Sequence, residues 1–581
     1  MSKIGNRKNK SRGESASGIP AVDSPDVDGL RESTASPPWK LERRSAFSIF
    51  GLFALALTTS LLSTLSPFSR MLPWIDSAAF LSIGHWMHEG LFPYRDIFDH
   101  KGLFLHAINF AGMFGGRTGV WLFEVFFLFA TAAFSYKTAR IWLGRVAAFL
   151  ATLVLYSFLH DFFTNGNMPE EYAMAFLSAS LFVYARFFDG LGPVLSCPAT
   201  ARAGGARPAA GDWPHASAAN GEPPGRWQSL VLGACLGSAL FLKINFLSLW
   251  LAFSILLFIR AARKGAWCFF IRHMIWLAAG AGLVVVPALG LIAGKQAFLA
   301  WAEQVIFFNA QYSNEADGLR FLKNIVLAFK KNPLASAALV IHLLLARRHW
   351  KSEAVYFHAA LAFSILLTVV LFSRTPFLGN HYHMTLFPLS LPAFALCAKR
   401  LLQTRLRLPV FTGGLAAVSC AIFAGQGMCF YEAISKNFSP HDDGTNAPGR
   451  GRAYTSYTRE KLEKVRAATP RGAGSVIVIG NNCNLYFCAD ALPASSYVYQ
   501  WPVGRISKKI GDQFQRDICE GLPELLFLAW PYVRVTPTLE VDSASLFGDF
   551  PRLRALLEND YERIHAESGL AVLYRRKRLV P

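Results

Sequence analysis

WIDSAAFLSIGHWMHEGLFPYRDIFDHKG, Trp74 to Gly102, follows the first long apolar run of a 581-residue chain and is too polar to cross a membrane itself. It carries Asp76, Asp96, Asp99, His100 and Lys101. A bilayer centre penalises each such group by roughly 2.5–3.5 kcal/mol on insertion scales, so the block belongs at a membrane surface. Around it, 53% of the residues are hydrophobic and 14% aromatic, gathered in runs long enough to cross about 30 Å of hydrocarbon. These features predict a polytopic α-helical membrane protein with a polar block beside its first span.

The formal charge of +20 raises the question of nucleic acid. The Lys and Arg residues, however, sit in short clusters between apolar runs, the pattern that orients membrane proteins, and not on one basic face. Nine cysteines show no CxxC pair and no metal-ligand spacing, which gives no sign of a zinc site or a thioredoxin-like motif. Cys483 and Cys488 are near enough in sequence to pair, which would leave Cys519 over.

Residues 1–45 are rich in Ser, Gly, Pro and both charge signs, the composition of a disordered tail. Basic residues up to Arg44 precede the run Ala46 to Leu65, which predicts a first span with a cytoplasmic amino terminus. Later clusters are Lys137, Arg140 and Arg145; Arg260, Arg263 and Lys264; Arg347, Arg348 and Lys351; and Lys399 to Arg407. If all are cytoplasmic, the exterior receives 67–118, 159–169, 294–330, 373–382 and everything after about 430. Leu103 to Phe114 must then not span, which suits a segment of about 18 Å as helix. Runs beginning near 46, 119, 145, 170, 227, 244, 267, 331, 354, 383 and 408 predict about 11–13 transmembrane helices in 46–430. The Gly, Ala and Pro rich stretch 190–226 is a flexible cytoplasmic loop. In 431–581 apolar runs shorten: Ser475 to Gly480, Leu525 to Trp530 and Gly569 to Arg576 read as strands, Arg459 to Ala468 and Phe550 to Leu557 as helices. This predicts a small α/β domain outside the membrane.

Within the opening stretch, Ala79, Phe80, Ile83, Trp86 and Met87 recur at helical spacing and predict a helix lying in the interface. Asp76 at its start is either an N-cap or a carboxylate able to take a proton from a hydroxyl; a cap also fixes a carboxylate. Asp96 and Asp99 fall one turn apart if their segment is helical. Lys101 is a snorkelling anchor or the counter-charge of a lipid phosphate. Glu170 and Glu171 open a helix, where acids also serve its dipole. Lys243 and Asn245 break an apolar run. His381, Tyr382 and His383 lie at a span boundary, where aromatic belt residues are common. Asn309, Gln311 and Tyr312 sit in the long exterior loop.

The ordered set over about 45–430 resembles the GT-C glycosyltransferases, in particular the bacterial family 39-like proteins related to the protein mannosyltransferases and the aminoarabinose transferase. It comprises an early Asp in the first exterior loop, PYRDIFDHKG, TNGNMPEEY at Thr164 to Tyr172, the Lys243 step, WAEQVIFFNAQY, and GNHYHMTLFPLSLPAFAL at Gly379 to Leu396. The resemblance implies an inverting transfer of a sugar from a polyprenyl-phosphate carrier to a hydroxyl of a cell-envelope glycan, lipid or protein, in the bacterial inner membrane. Asp76 takes the place of the family's first-loop base, and Lys101, with His100, that of its contact to the carrier phosphate. The second acid falls to Asp96, Asp99, Glu170 or Glu171, because DHKG departs from the acid-Lys-Pro-Pro of many relatives. Tyr94, Lys243, Asn309, Tyr312, His381, Tyr382 and His383 are candidates for substrate contact. The resemblance implies no cofactor; some relatives use a divalent cation, and the acids here form no recognisable ligand motif. Rival readings are a lipid-linked glycan transporter, which predicts mid-membrane charges and internal repeats, and a non-catalytic assembly scaffold.

Overall fold

The computed structural model describes residues 38–163, 165–190, 225–313, 318–375, 379–403, 427–428, 431–432, 434–435, 458–489, 491–500, 507–529, 551–567 and 570–577. The tail before residue 38, the loop 191–224 and the expected span near 408 lie outside the described residues. The chain divides into residues 1–48 and residues 49–581; apart from the first turns of α1, all that follows concerns the second unit.

Helix α1 (Pro38–Ser60) leads to α2 (Ile75–His88) and α3 (Leu103–Met113), then to α4 (Gly116–Ala139), α5 (Arg145–Ser157) and α6 (Pro169–Gly190). After them come α7 (Arg226–Leu240), α8 (Ser248–Lys264), α9 (Trp267–Gly294), the short α10 (Phe298–Trp301) and α11 (Phe308–Ser313), and α12 (Gly318–Lys331). The series closes with α13 (Pro333–Arg348), α14 (Ala354–Ser373) and α15 (Leu386–Gln403). Ten of the eleven runs picked out as spans coincide with these helices. Among the described residues, α4, α8 with the turn before it, α9 and α14 are long and apolar enough to cross a membrane, and α12 with α13 adds one bent pair. The chain is a polytopic helical membrane protein. α4 packs on α6, α7 on α9, and α14 on α8 and α13, around a core that includes Leu128, Tyr172, Trp250, Phe253 and Phe357. α3 is eleven residues long, too short to span, as its sequence predicts.

The carboxyl-terminal region forms a five-stranded sheet in the order β2-β1-β3-β5-β4. The strands are β1 (Ser475–Ile479), β2 (Leu492–Pro493), β3 (Leu525–Ala529), β4 (Tyr561–Glu567) and β5 (Ala571–Arg576); its helices are α16 (Arg459–Ala468), α17 (Lys508–Gly521) and α18 (Pro551–Asp560). β1 runs parallel to β2 and β3, and β5 antiparallel to β3 and β4. Successive residues point to opposite faces, so Val476, Val478, Leu525 and Phe527 share one core while Ile477, Ile479 and Leu526 share another with Phe514 and Ile518 of α17. The first of those cores also contains Ala78, Ala79, Ile83 and Trp86 of α2.

That packing overturns the interfacial reading of α2. Nine of its fourteen residues are buried, because the helix lies between the sheet domain on one side and α3 on the other. The apolar spacing marked mainly the first face; Phe80 reaches His106 on the second, and Gly84 lets the backbone of α3 at Asn109 come close. Trp86 meets Tyr486 edge-on at 5.0 Å, Ser82 Oγ donates to the Cys483 carbonyl, and Asn484 Nδ2 donates to the Pro73 carbonyl. Two further expectations fail. Trp74, not Asp76, occupies the N-cap of α2, and the segment carrying Asp96 and Asp99 is a tight turn and extended chain, not a helix. Cys483 and Cys488 are free thiols that donate separately to the carbonyls of Val498 and Leu462.

Candidate active site

Between α2 and α3 the chain turns sharply at Tyr94, whose φ of 73° is left-handed, and its N–H donates to the Ile97 carbonyl. Asp96 closes this turn: its carboxylate accepts the Phe92 N–H at 2.7 Å and the Arg95 guanidinium at 2.7 Å. Arg95 holds the Asp96 carboxyl below the usual carboxylate range. The job of Asp96 is thus local and solvent-facing. Tyr94 turns inward, and its hydroxyl donates to the Lys101 carbonyl at 2.8 Å, bracing the segment that carries the lysine.

Asp99 is wholly buried. Its Oδ1 accepts the Tyr499 hydroxyl at 3.0 Å and the Lys101 N–H at 3.1 Å, and its Oδ2 lies 3.4 Å from His106 Nε2. Gln304 clamps the same stretch by accepting the Asp99 N–H and donating to the Tyr94 carbonyl, while Asn309 donates to the His100 carbonyl at 2.7 Å. Tyr312 sets its ring 5.9 Å from that of His100. Lys101 Nζ contacts His100 Nε2, and His100 Nδ1 lies 3.3 Å from the Tyr499 oxygen. An ammonium only donates, so Nε2 accepts and we assign the ring proton to Nδ1. Burial and the nearby cations Lys101 and Lys243 push the His100 pKa well down, in keeping with a neutral ring.

Gly102 brings the lysines together. A Cβ there would lie 2.0 Å from the Phe241 carbonyl oxygen, because the loop runs against the end of α7. Gly102 N–H donates to the Leu242 carbonyl and Phe104 N–H to that of Phe241. The contact places Lys101 beside Lys243, which stands in extended backbone at the break before α8. Burial, and then the charge of Lys243, lower the Lys101 pKa against the opposite pull of Asp99, Asp76 and Glu170. Lys243 Nζ pairs with Glu170 at 2.8 Å and lies 4.0 Å from the centre of the Tyr382 ring. His381 is lowered by burial and feels Glu170, Lys243, Asp76 and Lys101.

Asp76 is exposed in the first turn of α2. Its charge acts on Lys101, His381, Tyr382 and Tyr499. One polar cluster therefore gathers an open carboxylate, two lysines, two histidines and two buried acids. Of the candidates, Asp76, Asp99, His100, Lys101, Glu170, Lys243, His381 and Tyr382 meet there, with Asn309 and Tyr312 behind His100. His383 is instead packed between Phe162 and Phe372. Glu171 lies with Glu124 of α4 in a separate buried network, where Asn109 and Asn167 exchange amide hydrogen bonds and Tyr172 donates to Asn167. Gly166 belongs to this network, with a left-handed φ of 87° and no room for a Cβ against Ser63 and Glu124.

Sequence reasoning missed Tyr499, His106, Gln304 and Glu124. Only Glu124 carried a signal, a carboxylate within an apolar span. Among the described residues no three His, Cys, Asp or Glu side chains are grouped to hold a metal ion.

No family model matches the sequence, and no curated protein matches it. Solved structures do. ArnT from Cupriavidus metallidurans bound to undecaprenyl phosphate superposes with a TM-score of 0.54 at 13% identity, covering 91% of this chain and 98% of that one. The apo state of the same protein gives 0.53 at 13% identity, over 92% and 98%. The chain has the GT-C membrane fold.

Proposed function

We propose that the chain is an inverting glycosyltransferase that moves a hexosyl or pentosyl group from a polyprenyl-phosphate carrier to an acceptor hydroxyl of a cell-envelope glycan, lipid or protein. The observation that carries this is Lys101 within electrostatic reach of both Lys243 and Asp76, in a fold seen elsewhere holding undecaprenyl phosphate. In this reading residues 46–430 hold the membrane and catalytic machinery, residues 431–581 the outer domain, and the site opens at the outer face of the inner membrane with the amino terminus cytoplasmic.

Lys101 and Lys243 receive the carrier phosphate, and the donor's apolar tail stays in the bilayer. Asp76, exposed in the first turn of α2, accepts the proton of the acceptor hydroxyl. The acceptor oxygen then bonds to the anomeric carbon from the face away from the phosphate, the carbon–oxygen bond to phosphate breaks, and its electron pair leaves on the polyprenyl phosphate. One displacement inverts the configuration. The lysines stabilise the phosphate charge that develops, which is commonly the largest contribution to such a step. Glu170 holds Lys243 in place, and Asp99 with Tyr499 fixes the His100–Lys101 pair. As proposed, the reaction uses no cofactor.

Purified protein supplied with a panel of polyprenyl-phosphate sugars and acceptors, with products read by mass spectrometry, tests the proposal. Wild type transfers a sugar with inversion, and Asp76→Asn, folded and expressed as wild type, does not. Undiminished transfer by Asp76→Asn overturns the base assignment; no transfer by wild type from any donor overturns the reading as a whole.

A further inference from the structure

Helix α12 takes no part in the chemistry above, yet it borders the site. Asn324 Nδ2 donates to the carbonyls of Ser373 and Thr375, at the end of α14, at 3.1 and 3.2 Å. Lys331 Nζ donates to Asn380 Oδ1 at 3.0 Å, at the start of the turn that carries His381. The helix therefore lies at the end of the bundle where the site opens. It meets α13 at 93°. Because α13 packs along α14, itself long and apolar enough to span, α12 runs near the membrane plane.

At about 100° per residue, GLRFLKNIVLAFKK divides into three edges. Asn324 and Ala328 are buried on the edge that meets the bundle. Leu319, Leu322 and Val326 form an apolar edge and are 80%, 59% and 68% exposed. Beside it, Arg320, Lys323 and Lys330 are exposed on a third, mainly basic edge that includes the half-buried Leu327 and ends at Lys331, and the helix has no acidic residue. In water the apolar edge is unfavourable. In the surface of an anionic bilayer both outer edges are satisfied, the leucines and valine among acyl chains and the cations among headgroup phosphates.

We infer that α12 is a surface-docking helix for anionic phospholipids, its basic edge holding their headgroup phosphates beside the mouth of the site. The inference rests on the membrane fold and does not depend on the transfer reaction. A consequence is that anionic headgroups surround the point where a lipid phosphate would enter.

The test uses the full chain in detergent. Phosphatidylglycerol or phosphatidylcholine is titrated in, and lipids retained are counted by native mass spectrometry alongside the melting temperature. Wild type retains phosphatidylglycerol over phosphatidylcholine. Lys323→Gln with Lys330→Gln weakens that preference by roughly fivefold per charge removed. Leu322→Ser with Val326→Ser weakens retention of both lipids alike. Unchanged selectivity in the lysine variant overturns the inference, as does equal protection of wild type by inorganic phosphate, which would make the edge a soluble-anion site. Should the double lysine variant not fold, Lys323→Gln alone, which breaks no hydrogen bond seen here, carries the same comparison.

Discussion

The hydroxyl of Tyr499, from the sheet domain, donates to Asp99 Oδ1 at 3.0 Å, joining two residues 400 positions apart. The Tyr499 oxygen also lies 3.3 Å from His100 Nδ1, so the contact Lys101–His100 continues through Tyr499 to a buried carboxylate. Phe98 N–H donates to the Ser496 carbonyl and anchors the strand of chain just before Asp99. The carboxyl-terminal domain is thus part of the wall that aims the lysine.

Tyr499→Phe removes one hydrogen bond to a charged group, worth about 1.5–3 kcal/mol, without changing shape. The expected result is a lower melting temperature, and a donor KM raised roughly tenfold or more while the acceptor KM holds. Steady-state kinetics with each substrate varied in turn checks this. Equal loss in both KM values would mean that Tyr499 serves only the fold.

Gly102→Ala forces a Cβ to within 2.0 Å of the Phe241 carbonyl, so loop and α7 must separate. A displacement near 1 Å at a reacting group costs on the order of a hundredfold in rate. Transfer is expected to fall by about that factor although no charged group has been changed. Activity assays beside a melting curve check it, and wild-type kcat/KM in a folded variant would show that the spacing of Lys101 and Lys243 is unimportant.

The lowered Lys101 pKa fixes the sign of a pH effect. A lysine lowered from 10.5 loses its charge at a lower pH than a free lysine. Donor affinity is therefore full on the acid side, where the ammonium is present, and falls as pH rises through the lowered value. Lys101→Arg keeps its charge to above about pH 12 and should flatten that alkaline fall, even if its planar fork binds phosphate less well. Donor KM measured from about pH 7 to 10 distinguishes the two proteins.

Where charge stands against apolar surroundings, the sequence was readable. Asp76, Lys101, Glu170 and Lys243 each interrupt a hydrophobic context, and their cost there makes them conspicuous. Tyr499 had no such contrast in a chain that is 14% aromatic, and its partner lies on another element 400 residues away. Asp96 and Asp99 looked alike by type and spacing; only the turn at Tyr94 sends the first to Arg95 and the second into the interior. The second face of α2 was hidden for a related reason. Glycine reads as neutral, yet Gly84 is the residue that lets α3 come close at Asn109.

Glu170 and Lys243 separate the folding of the site from its work. Their pair, at 2.8 Å with Glu170 wholly buried, loses about 3–5 kcal/mol when one partner is removed and the other charge is stranded. Lys243→Met alone should therefore destabilise strongly, since a buried carboxylate remains. Adding Glu170→Gln removes the stranded charge and should restore much of the melting temperature, a non-additive result expected of residues in contact. Donor binding should not return, because the second phosphate-facing cation is still missing. Melting curves and donor KM for both single variants and the double variant read the two effects apart, and a double variant that binds donor as wild type does would remove Lys243 from the phosphate site.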